Sequence, residues 1–172
     1  ALLMIGGMSN FGAGRWHQSP LAQVLPAEMT ANDGMAGGPL RISLTQEGEA
    51  HPVCLLADNR EESQQLWEKL PQLPGVNRVR NVHPASRVLL QAGSHPLLVV
   101  KEYGRGRSAV FTADMTWQWI LKAGQGEAHK RFWRNLATWL TRSDYRDTEK
   151  NVFVDAERLQ CEVGQESVFN AH

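Results

Sequence analysis

Two cysteines, Cys54 and Cys161, and six histidines are the side chains of this sequence best suited to act as nucleophile, base or metal ligand. A thiolate nucleophile needs a sharply turned, glycine-lined backbone and a base within hydrogen-bond reach. Cys54 stands in His51-Pro52-Val53-Cys54-Leu55-Leu56, which has no glycine elbow, and reads as a small apolar core residue. The same reading applies to Cys161. His-Pro occurs three times, at 51, 83 and 95, and the residue before proline is biased to extended geometry, so each pair reads as the start of a strand. None of the three is followed by glutamate. The histidines at 17, 51, 83, 95 and 129 show no i, i+4 pair and no neighbouring carboxylate pattern, so no metal site is expected. The loop Gly6-Gly7-Met8-Ser9-Asn10-Phe11-Gly12-Ala13-Gly14 has neither G-x-G-x-x-G spacing nor a following Lys-Ser/Thr, so no phosphate cofactor is expected either.

The elements that must position these groups follow from apolar periodicity. Residues 1–6 form a short continuous apolar run ended by glycine, the pattern of a central strand covered on both faces. Ser19-Pro20 predicts the start of a short helix, with Ser19 as cap and Pro20 in the first turn. Residues 30–39, rich in glycine, predict an exposed loop. Leu40 to Leu44 alternates as a half-buried strand does. Asn59 with Glu62 makes a capping box for a helix carrying Leu66, Trp67 and Leu70 and stopped by Pro71. Strands are predicted over 76–82, 86–91, 96–102 and 107–113, the last two joined by Tyr103-Gly104-Arg105-Gly106 as a tight antiparallel hairpin. Arg105 and Arg107 on that hairpin read as solvated. The strongest helix is Ala128 to Arg142, with Phe132, Trp133, Leu136 and Leu140 at helical spacing. After it a charged stretch, 143–150, gives way to β alternation from Asn151, answered by 159–169. A domain boundary is expected near 145–150, with 146–172 a linker and the start of a β-rich, sandwich-like segment.

At 172 residues the chain suits one domain plus a small appendage, with a formal net charge of +0. That neutrality gives no electrostatic footprint for nucleic acid or anionic lipid. No apolar run approaches the roughly 20 residues of a membrane-spanning helix. Two cysteines make no disulfide framework, which fits a reducing compartment, and a cytoplasmic location is expected. The chain opens directly on Ala1-Leu2-Leu3-Met4-Ile5-Gly6-Gly7, without a signal-peptide pattern, and reads as part of a longer protein.

Four collinear stretches carry a resemblance. They are Leu2 to Gly7 with Asn10-Phe11-Gly12; Pro20-Leu21 with Leu25-Pro26-Ala27-Glu28-Met29; His95 to Leu98 leading to Tyr103-Gly104-Arg105-Gly106-Arg107; and Phe111-Thr112-Ala113-Asp114 with Trp117, Trp119 and His129 to Trp133. Over roughly residues 1–142 the sequence resembles the class I glutamine amidotransferase-like domain of bacterial proteins of unknown function, some of them membrane proteins with von Willebrand type A modules. The resemblance implies an α/β fold: a flavodoxin-like doubly wound, mostly parallel sheet, here with an antiparallel hairpin and a short C-terminal β segment, its earliest strands upstream of residue 1. It also implies where a glutaminase would keep its triad. The elbow strand corresponds to Met4-Ile5-Gly6-Gly7, with Gly6 where the family's cysteine stands. The family's His-x-Glu falls at Thr112-Ala113-Asp114, which keeps a carboxylate and lacks the histidine. The expectation is therefore a non-catalytic module.

Ligands of open α/β sheets settle outside the carboxyl ends of the strands. Gly6, Gly7, Asn10 and Phe11 from the first such end, and Asp114, Trp117 and His129 from the second, are the candidate ligand-binding residues. The plainer alternative makes the glycines tight turns and packs Trp117 and Trp119 under the last helix. Three functions remain: a module binding a small ligand or a neighbouring domain of the same protein, a hydrolase-type enzyme on the same fold using Asp114 and His129, or a purely structural assembly module.

Overall fold

The structure, a computed structural model, describes residues 1–141, 154–156 and 169–171. A five-stranded sheet runs through the molecule in the order β1-β9-β8-β7-β4, formed by β1 (Leu2–Ile5), β9 (Gly106–Phe111), β8 (His95–Tyr103), β7 (Ser86–Ala92) and β4 (Ile42–Leu44). Two-stranded ribbons of β2 (Ala27–Glu28) with β6 (Asn81–Val82) and of β3 (Met35–Leu40) with β5 (Leu73–Asn77) flank it. The helices are α1 (Gln46–Ala50), α2 (Arg60–Lys69), α3 (Trp117–Leu121) and α4 (Gly126–Thr141). The α/β class expected from the sequence is what the chain adopts. Among the described residues only β1 and β9 pair in parallel, however, while β9-β8, β8-β7 and β7-β4 are antiparallel. The predominance of antiparallel pairing has a local cause. Short glycine turns join β7 to β8 and β8 to β9, and a two-residue link permits nothing but an antiparallel return. At the second turn Tyr103 pairs with Gly106, and Gly104 takes the positive φ of 57° that its tight loop requires.

Alternation along the strands sends side chains to two cores. Val100, Ala109 and Phe111 face a helical layer with Trp67, Trp119, Phe132, Leu136 and Leu140. Val99 and Val110 face the other way, onto Phe11, Leu25, Ala27 and Met29, with Leu2 and Met4 against them. The first face is covered by α2, α3 and α4. The second is covered by short turns and the β2–β6 ribbon. Phe132 sits among four aromatic rings, those of Phe111, Trp67, Trp119 and Trp133, with centroids 5.2–5.8 Å away. Edge-to-face geometry of this kind adds to the burial energy of each ring.

Several expectations are corrected. Residues 30–39 are not a loop throughout, because β3 pairs with β5 from Met35 to Leu40. Its glycines and Pro39 disguise it, and the irregular register between Gly37 and Leu40 accommodates a residue that cannot donate. The strand predicted over 76–82 is two shorter ones, β5 and β6. Ser19 precedes a 3-10 turn over Pro20–Gln23 and does not cap it; its hydroxyl donates to the Trp16 carbonyl at 2.8 Å. β1 bonds to a strand on one side only among the described residues, and Leu2, Leu3 and Met4 are half-buried, less than a central strand would be. The Asn59 cap stands, its Oδ1 accepting from the Glu62 amide at 2.8 Å. β10 (Val154–Ala156) and β11 (Phe169–Ala171) pair antiparallel, a short C-terminal β segment as expected. The boundary near 145–150, the linker and Cys161 lie outside the described residues.

His51 and Arg107 also depart from expectation. His51 opens a 3-10 turn, Pro52–Cys54, and not a strand; its Nδ1 accepts from the Val53 amide at 3.3 Å, and its ring meets Trp139 edge-on. Arg107, at 10% side-chain exposure, donates to the Trp139 carbonyl at 2.8 Å and lies over the Trp139 ring. Burial, with Arg87 and Arg107 nearby, pushes the His51 pKa down to about 4. The folded state thus refuses a proton that the unfolded chain accepts below about 6.5. The contribution of His51 is complete above that value and falls as pH drops from about 6.5 to 4, by at most roughly 3 kcal/mol before solvent screening. Urea unfolding at stepped pH measures it. Replacing His51 with glutamine should flatten the slope across that window, and an unchanged slope would refute this origin.

Candidate functional site: the crevice between β1 and β9

The parallel pair β1 and β9 brings two chain segments side by side at their carboxyl ends. Ile5 pairs with Phe111, and the Gly6 amide donates to the Phe111 carbonyl at 2.7 Å. Gly6 therefore lies against the backbone of Thr112 and Ala113. A Cβ at position 6 would stand 2.7 Å from Ala113 N and from the Thr112 carbonyl carbon and oxygen. Only glycine fits between two main chains so close together.

Gly7 is held from a third segment. Its amide donates to Asn77 Oδ1 at 2.9 Å, and its carbonyl accepts from Asn77 Nδ2 at 3.0 Å. Asn77 ends β5, is buried, and its own amide donates to the Thr112 carbonyl at 2.7 Å. One residue thus joins both lips of the crevice, its side-chain amide on Gly7 and its main-chain amide on Thr112. Asn77 escaped the sequence reading, because a polar residue at the end of a glycine- and proline-containing strand carries no local signal for a partner seventy positions away.

The remaining loop residues are turned inward or used locally. Asn10 Nδ2 donates to the Ile5 carbonyl at 2.9 Å, which folds the loop back on β1. Phe11 adopts a left-handed backbone, φ 56°, and is fully buried in the second core. Arg15 is the other non-glycine residue in that region, φ 54°. Such conformations cost on the order of 1 kcal/mol or more each and persist where packing holds them. Met8 projects from the loop with 85% exposure.

On the facing segment, Asp114 is exposed and Trp117 is 46% exposed, while Trp119 is fully buried against Phe132 and Trp67. The expectation that both tryptophans pack under the last helix holds for Trp119 alone. His129, on α4, is half-buried, and burial lowers its pKa. Trp133 Nε1 donates to His129 Nε2 at 3.1 Å and to Thr116 Oγ1 at 3.2 Å, and that same imidazole nitrogen lies 3.3 Å from the Thr116 hydroxyl. A nitrogen that accepts from an indole N–H is an unprotonated one, so the ring is neutral with its proton on Nδ1. His129 links α4 to the loop before α3. No hydrogen bond or ion pair joins it to Asp114 among the described residues.

The structure thus brings Gly6, Gly7, Asn10 and Asp114 to one end of the sheet, sends Phe11 into the core, and gives His129 partners other than Asp114. Cys54 is buried in the helical core, its thiol pushed up to about 12 by desolvation. Among the described residues, cavities of about 300 and 140 Å³ lie away from the crevice; the larger is lined by Leu56 and the α4 residues Glu127, Lys130, Arg131 and Arg134, and Cys54 is in the wall of the smaller. Among the described residues no cluster of three metal-ligating side chains occurs, and no helix is long and apolar enough to cross a membrane.

Residues 1–142 match a family model described as "Putative glutamine amidotransferase", GATase1-like. Two solved structures are similar. The cytoplasmic protein STM3548 from Salmonella typhimurium shares 25% identity and a TM-score of 0.65, over 83% of this chain and 55% of that one. The cytoplasmic protein STM1381 from Salmonella typhimurium LT2 shares 24% identity and a TM-score of 0.60, over 82% and 55%. This chain therefore spans about half the length of either relative. No curated protein matches it.

Proposed function

The chain belongs to the glutamine amidotransferase-like family, and from that premise we propose that it is a non-catalytic module, binding a small ligand or a neighbouring domain at the β1–β9 crevice. The close approach of Gly6 to the Thr112–Ala113 backbone carries the reading. A cysteine nucleophile must project from its elbow toward substrate, with backbone amides free to hold the oxyanion. Position 6 has no room for any side chain, and the Gly7 amide is already committed to Asn77. Cys54 is no substitute: a thiol with a pKa near 12 is scarcely ionised at neutral pH.

Exposed apolar side chains favour a macromolecular neighbour over a small molecule. Ile5 ends β1 and Met8 follows it, while Trp117, Ile120 and Leu121 follow β9, so the segments at the carboxyl ends of this parallel pair carry five exposed hydrophobic residues. Surfaces of that kind mark contacts with other protein. The direct test is glutamine hydrolysis, read as glutamate or ammonia released by the purified protein. None above the buffer rate is expected. Release that a thiol-alkylating reagent abolishes would overturn the proposal.

A further inference from the structure

Helix α3 buries Gln118 and Trp119 and turns its other apolar side chains to solvent: Trp117 and Ile120 are exposed, and Leu121 is 75% exposed. Positions 117, 120 and 121 are three and four residues apart, so they share one helix face. Solvent therefore meets an apolar stripe where a surface helix ordinarily presents polar residues. The stripe has a charge at each end. Asp114 lies two residues before the cap Thr116, Lys122 closes the helix, and both are exposed. Neither side chain forms an ion pair or hydrogen bond among the described residues. Such a pattern is self-complementary. Turned through half a revolution onto a copy of itself, the stripe brings Trp117 to Leu121 and Asp114 to Lys122, and it does so twice. Stacked the other way, with the two helices parallel, it would set Asp114 on Asp114 and Lys122 on Lys122. An unrelated partner would need the same charge spacing around an apolar stripe of its own, which this chain already carries.

We propose, resting on the reading of this surface as a protein contact, that its partner is a second copy of this chain. The two α3 helices pack antiparallel across a two-fold axis, Trp117 of each copy on Leu121 of the other, with Asp114 paired to Lys122 at both ends. The three apolar side chains and the two flanking charges present on the order of 500 Å² per copy, or about 1,000 Å² for the pair. That area stands at the low end of specific interfaces and suits a weak, reversible dimer. The apolar stripe supplies the burial, and the charges fix the antiparallel direction.

Sedimentation equilibrium of the purified chain, from about 1 to 200 µM, tests this. A reversible monomer–dimer equilibrium is expected, with a dissociation constant on the order of 10 µM. Leu121→Asp should weaken association about tenfold or more, and because that side chain is exposed the variant should keep the parent's circular dichroism spectrum. Asp114→Lys and Lys122→Asp should each weaken association about tenfold at low salt, since either change sets like charges together at both ends of the interface. The two changes in one chain should restore the parent's dimer, because across a two-fold axis the exchanged charges again meet their opposites. A chain that stays monomeric to about 200 µM, a dimer indifferent to Leu121→Asp, or a double variant as weak as either single one would each overturn the proposal. Such a failure is separable from failure of the non-catalytic reading, which turns on glutamine hydrolysis alone.

Discussion

Replacing Gly6 with cysteine is expected to destabilise the protein by about 3 kcal/mol or more, and not to create a glutaminase. The added Cβ would meet main-chain atoms on the neighbouring strand at 2.7 Å, and main chain cannot swing aside as a flexible side-chain tip can. Relief requires the ends of β1 and β9 to separate, which costs the Gly6–Phe111 hydrogen bond and disturbs the Asn77 clasp on Gly7. Gly34→Ala is the control, since a Cβ there meets nothing within 4 Å. Urea denaturation of both variants measures the difference. A Gly6→Cys protein as stable as its parent would show that the two strands do not lie as close as described.

Phe132→Ala should cost about 4 kcal/mol, a large share of the roughly 5–15 kcal/mol that holds a domain of this size together. Two terms add. The ring is fully buried, so its transfer energy is lost, and the four surrounding aromatic rings are too large to collapse into the space left behind. Thermal unfolding should show a lower midpoint with retained cooperativity. A loss below about 1.5 kcal/mol would mean that the rings repack around the hole.

What the sequence reveals and what it hides divide along one physical line. The meander of β7, β8 and β9 and the helix α4 are legible because their signals are local. Alternation, a glycine turn and an i, i+4 apolar stripe each lie within a few residues. Asn59 as a cap is legible for the same reason. The crevice is only half legible. Strand ends locate Gly6, Gly7 and Asp114, but the position of Phe11 depends on a left-handed backbone held by distant packing. Asn77 matters only through Gly7 and Thr112, both remote in sequence. Arg107 looks like a solvated hairpin residue until α4 lays Trp139 across it. β3 is hidden because its glycines and Pro39 give the composition of a loop, although β5 supplies the ladder partners.

The parallel pairing of β1 with β9 also orders events in time. The three-strand meander closes through adjacent turns, whereas Ile5 must find Phe111 across roughly a hundred intervening residues, and contacts that close long loops form late. Substitutions in β1, such as Leu3→Ala, should therefore accelerate unfolding while leaving the refolding rate nearly unchanged in stopped-flow measurements; a mainly slowed refolding would contradict that order. The crevice then has no existence until the last stage of folding, and whatever occupies it meets a finished protein and not a nascent one.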